Sequence, residues 1–206
     1  METSWTRLRF WALVLAGLAG AGWVVFRTPE RSRPPGVLCA QEPVQGPPVM
    51  KPENVWRFGG WTLTPLASYS VRARVLSAKR YKYDYTAPLA PVDLALGWGR
   101  MSDSAVLDEF SISQRGRWYN YSYDREVIPR AETTRSSANT HIIPANDAVR
   151  DVVLDAIRGD IVRLDGWLVE CRPAGDGPPW RSSLSRTDTE GGACEIMLVE
   201  KAVVEK

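Results

Sequence analysis

From Phe10 to Phe26 the chain runs seventeen residues without a charged or strongly polar side chain, and this run sets the terms for everything after it. At 1.5 Å per residue it approaches the length that crosses ~30 Å of hydrocarbon. Trp5, Trp11 and Trp23 lie towards its ends, where interfacial aromatics concentrate. A cleaved signal peptide is the competing reading, because Ala19 and Ala21 have the spacing of a small-residue cleavage site. Trp23 to Phe26 prolong the apolar run past that point, which favours an uncleaved transmembrane helix over 8–26 behind a short tail, 1–7. Arginines flank both ends, so charge does not orient the span. The short tail favours a single-pass protein of a bacterial inner membrane with an extracytoplasmic carboxyl-terminal domain.

Residues 27–52 hold seven of the fifteen prolines. Proline fixes φ and removes a ladder donor, so this segment reads as an extended tether able to hold a domain away from the membrane. The folded unit is then 53–206. The composition of the whole chain is ordinary for a globular protein, with a net charge of +2. Basic and acidic residues are interspersed, which gives no stripe for a phosphate backbone and argues against nucleic acid.

Strand signals dominate that unit. Val71, Ala73 and Val75 alternate with Arg72 and Arg74, and Tyr119, Tyr121 and Tyr123 share one side of a second strand. Residues 87–110, punctuated by prolines and glycines, read as a long loop with a short helix near 104–110. Val149, Val152, Val153, Ala156 and Ile157 fall at helical spacing between a start at Pro144 and Asn146 and a Gly159 stop. Alternation resumes over 159–171, with Gly166 at a bulge or bend, and a three-stranded meander completes the chain. The expected fold is mainly β (α+β): a small bent-sheet or barrel-like domain with one amphipathic helix.

The phrase "GDIVRLDGWLV" (159–169) resembles one in small oligonucleotide/oligosaccharide-binding (OB-type) barrels, where a glycine-aspartate turn leads into a strand that curls at a later glycine. More broadly, "SLSRTD" (183–188) and "GACE" (192–195) resemble segments of bacterial single-pass proteins with a small barrel-like carboxyl-terminal domain. That resemblance implies an anchored envelope protein and brings no activity with it.

Candidate chemistry centres on Cys194 and the single histidine, His141. A thiol becomes nucleophilic beside an imidazole or a cation. The order of His, strand and Cys resembles sortase-like transpeptidases, which also use an arginine after the cysteine. Here no arginine follows Cys194, Glu195 does, and Arg186 precedes it. A Cys171–Cys194 disulfide is the structural alternative, since both cysteines sit at strand ends, and it would leave Cys39 over. A third reading makes Cys194 a small buried residue at a strand start.

Ligand-binding candidates are Trp98, between two glycines, together with His141, Ser185, Arg186 and Asp188. For each a bland role competes: a barrel plug for Trp98, a hydrogen-bonded strand-end residue for His141, and a self-bonding polar turn for the rest. No metal site is expected, because His141 has no spaced His or Cys companions, and no cofactor motif is present. The expected role is binding or assembly with an envelope protein, a peptide or a glycan. The alternative is a Cys/His transpeptidase or hydrolase with Arg186 as support.

Overall fold

A computed structural model describes Trp11 and residues 29–50, 54–188 and 192–205. The span expected at 8–26 lies outside the described residues apart from Trp11. Among the described residues no helix is long and apolar enough to cross a membrane.

The domain is mainly β, with a few short helices. Ten strands occur in chain order: β1 Val44–Gln45, β2 Trp56–Phe58, β3 Trp61–Arg80, β4 Val92–Gly97, β5 Phe110–Arg115, β6 Trp118–Tyr123, β7 Ser137–Pro144, β8 Ile161–Pro173, β9 Trp180–Arg181 and β10 Glu195–Glu205. The helices are α1 Ser104–Leu107, α2 Arg130–Arg135 and α3 Asp147–Asp155. Within the eight-stranded mixed sheet, β3 pairs β4, β4 pairs β7, β7 pairs β10 and β10 pairs β8. Strand β8 pairs back onto β3, from Trp61↔Pro173 to Arg74↔Ile161, so five strands form a near-closed ring. The β7–β10 pair is parallel and the other four are antiparallel. Strands β5 and β6 form a separate hairpin inserted between β4 and β7.

Alternation explains the interior. Val71, Ala73 and Val75 of β3, with Leu94, Ile142, Leu164, Leu168 and Met197, pack in one cluster inside the ring. Helix α3 places Val149 and Val153 against that cluster. Its start is the one the sequence marks: Asn146 Oδ1 accepts the Val149 N–H at 3.0 Å. Gly166 is required by proximity, since a Cβ there would stand 2.0 Å from the Leu198 carbonyl oxygen on β10. The ladder is irregular beside it, between Val199 and Lys201.

Three details differ from the sequence reading. Residues 92–97, read as loop, are the central strand β4, and all six are buried. Coverage on both faces removes the polar half of the alternation that marks a strand. The carboxyl-terminal strands are not a meander: β10 and β9 share one edge of β8, which pairs β10 through Leu168 and β9 at Glu170 and Cys171. Residues 29–50, within the Pro-rich segment, lie against the barrel. Val44 and Gln45 pair with Ser70 and Tyr69, Arg31 N–H donates to the Arg158 carbonyl at 2.8 Å, and Cys39 is buried.

Candidate functional site

The antiparallel register of β4 and β7 sets Asp93 beside His141 and Ala95 beside Asn139. Val92, Leu94 and Ile142 face the barrel core, so Asp93, Asn139 and His141 stand on the outer face. The β5–β6 hairpin lies over that face. Its turn residue Arg117 donates from Nη1 to Asp93 Oδ1 at 2.7 Å and to the Ala90 carbonyl at 2.9 Å. Through Nη2 it also donates to Asp84 Oδ1 at 2.8 Å. The Arg117 guanidinium stacks 3.7 Å above the Tyr81 ring, and the Tyr81 hydroxyl accepts the Arg117 N–H at 3.1 Å.

His141 Nδ1 lies 2.9 Å from Asp93 Oδ1 but outside hydrogen-bond alignment, and Asp93 Oδ2 has no partner. The imidazole packs on the Trp180 ring at 4.7 Å between centroids and is 3% exposed. This cluster fixes the hairpin to the barrel. Burial and the nearby Asp93 carboxylate raise the Tyr81 pKa. Burial pushes the Asp84 carboxyl up, but hydrogen bonds from Arg117 and Thr86 hold it below its ordinary value.

Cys194 stands at the rim of the same face. Its Sγ lies 3.7 Å from Asn139 Nδ2, an amide that also donates to the Arg117 carbonyl at 3.0 Å. Burial pushes the thiol up to about 11, the Asn139 hydrogen bond lowers it, and Glu195, Asp93 and Asp188 raise it further. Near pH 7 the sulfur is therefore a neutral thiol among carboxylates, and no cation among the described residues favours its thiolate.

Cys39, Cys171 and Cys194 are all free. Simple extension of the β8–β10 register would set Cys171 opposite Cys194, but the two strands part at Leu168/Met197. Trp180 pairs with Cys171 instead, and the Ser183 N–H donates to the Cys194 carbonyl. The two cysteines thus meet different partners, and no disulfide joins them. Burial raises the Cys171 thiol to about 12.

The remaining sequence candidates fall elsewhere. Trp98 is 1% exposed and belongs to the barrel core. Ser185 and Asp188 fold onto their own turn: Ser183 Oγ donates to Asp188 Oδ2 at 2.6 Å and accepts the Ser185 N–H at 2.9 Å. Arg186 turns towards the barrel interior and lowers the pKa values of Tyr69 and Glu195, which burial raises. Its Nη1 and Glu195 Oε2 are both buried without a hydrogen-bond partner. Among the described residues no group of three or more His, Cys, Asp or Glu is placed to hold a metal ion.

Beside the hairpin a groove of about 590 Å³ opens between β6, α2, β7 and the segments around Asp188 and Cys194. All six residues of β6 line it, with Arg130, Ser137 and Asn139. Phe110 packs behind this wall against Tyr121 and Tyr123, at 6.0 and 5.1 Å between ring centroids. The groove therefore gathers Cys194 and Asp188 from the sequence candidates and leaves out Trp98, His141, Ser185 and Arg186. Asp93, Arg117 and Arg130 escaped the sequence reading. The alternating tyrosines of β6 were the available signal, and they gave the strand without its partner surface. No family model, no curated protein and no solved structure matches the chain.

Proposed function

We propose that the domain is an OB-type barrel acting as a non-enzymatic binding module, displayed outside a bacterial inner membrane by a single span over 8–26. The apolar run from Phe10 to Phe26 supports the anchor. Strand order supports the barrel type: counted along the chain, the ring strands lie 1-2-3-5-4 and return to 1, with 3 and 5 parallel. OB-type barrels bind ligands on the face of strands 2 and 3 and in the adjoining loops. Here that face belongs to β4 and β7 and is largely covered by the inserted hairpin.

One observation carries the reading. The groove along the hairpin is the part of this face left open, it has Asn139 in its wall, and its volume is of the order that ligands occupy. Aromatic rings, hydroxyls, an amide and an arginine suit recognition of an envelope protein, a peptide or a glycan. The neutral Cys194 thiol favours recognition over covalent chemistry.

The test places a photoreactive benzoylphenylalanine at Trp118 in cells, with Val203 as the control. Both positions are about half exposed. A discrete adduct from position 118, absent from 203 and lost with Arg130→Glu, is the expected result. No adduct, or equal labelling from both positions, overturns the binding role of the groove.

A further inference from the structure

We propose that the groove takes an extended acidic peptide, which adds as a third strand along the free edge of β6; this rests on the binding reading above. The hairpin turn holds Gly116 at φ 58° and Arg117 at φ 70°, the two positive angles of a two-residue type I′ turn. Such a turn makes Arg115 and Trp118 a hydrogen-bonded pair. By the register, Ser113–Asn120 and Ser111–Ser122 are the next such pairs. Tyr119, Tyr121 and Tyr123 therefore turn their N–H and C=O groups away from β5. No hydrogen bond from outside the hairpin reaches those main-chain groups among the described residues.

The groove lining agrees with this arrangement. A strand offering one face shows alternate residues, whereas β6 lines the groove with six in succession, as a strand does along its edge. An open edge of this kind is a template for an added strand, whose main-chain bonds give affinity while alternate side chains give selectivity.

Charge selects the class of peptide. Arg130 lines the groove, and Arg135 lies with it in an adjoining depression on α2. Neither arginine is ion-paired among the described residues. The carboxylate that lines the groove, Asp188, already accepts from Ser183 Oγ. A peptide with Asp or Glu opposite α2 would meet two free guanidinium groups.

The test selects peptides from a phage-displayed random library of about ten residues against the full chain in detergent micelles. The best-enriched peptide is then made with a single N-methyl group at each position in turn. Strand addition predicts a loss of about tenfold at alternate positions and little change between them, because only every second N–H faces β6. Arg130→Ala should weaken an acidic peptide by about fivefold, with Arg163→Ala as an indifferent control. No enriched peptide, uniform tolerance of N-methylation, or indifference to Arg130→Ala overturns the proposal. An adduct from position 118 together with uniform tolerance would remove strand addition and leave the binding module standing.

Discussion

Arg117 is the one non-glycine residue with positive φ among those described, and its side chain explains why glycine does not take the place. A left-handed conformation costs a residue with a Cβ on the order of 1 kcal/mol, while the guanidinium compensates Asp93, a carboxylate with no exposed surface. Removing one partner of a buried pair leaves the other charge unsatisfied. Arg117→Ala should therefore destabilise the domain by about 3–5 kcal/mol, read by urea unfolding. In the double variant with Asp93→Asn the two losses should fall well short of adding. A loss under ~1 kcal/mol for the single variant, within the range of an exposed pair, would show that the contact does not hold the hairpin.

At the scale of elements, the Pro-rich segment behaves as part of the domain over 29–50. Its central clasp is Ser102, whose Oγ accepts the N–H groups of Leu38 and Cys39 at 3.0 Å each and donates to the Gly99 carbonyl. Ser102→Ala leaves two amides without their acceptor. The expected result is a loss of about 1–3 kcal/mol and faster alkylation of Cys39, which is otherwise 1% exposed. An unchanged alkylation rate would mean that the segment is held by other contacts. Proline content could not reveal this, because the same residues that stiffen a free tether also suit a strap without ladder bonds. Helix α3 was legible because its apolar spacing and its Asn146 cap agree. β8, β9 and β10 were legible as strands, but not their order, since β10 pairs β8 directly and β9 meets β8 only at Glu170 and Cys171. β4 was hidden by burial on both faces. The Asp93–Arg117 contact joins residues 24 apart in sequence, and neither residue type announces such a partner.

For the molecule as a whole, one buried acid sets a pH dependence. Burial raises Glu195 from an ordinary 4.5 to about 8, with Asp188 adding to the rise and Arg186 opposing it. Below pH 4.5 the carboxyl is protonated in both folded and unfolded chains and contributes nothing. Between pH 4.5 and about 8 the unfolded chain releases its proton while the folded one retains it, so stability from this group falls as pH rises. Glu195→Gln should raise the melting temperature little at pH 5 and by several degrees at pH 8, at ~2–4 °C per kcal/mol. An equal shift at both pH values would place the cost elsewhere. The ring has a further consequence, in the order of synthesis. β10 is the strand that joins β7 to β8, and it is the last of the five to leave a ribosome. Until residues 195–205 emerge, two strand edges stay open and the barrel cannot close. Before then β8, β3, β4 and β7 can pair only as an open sheet, so closing the ring is the last step of folding and not the first.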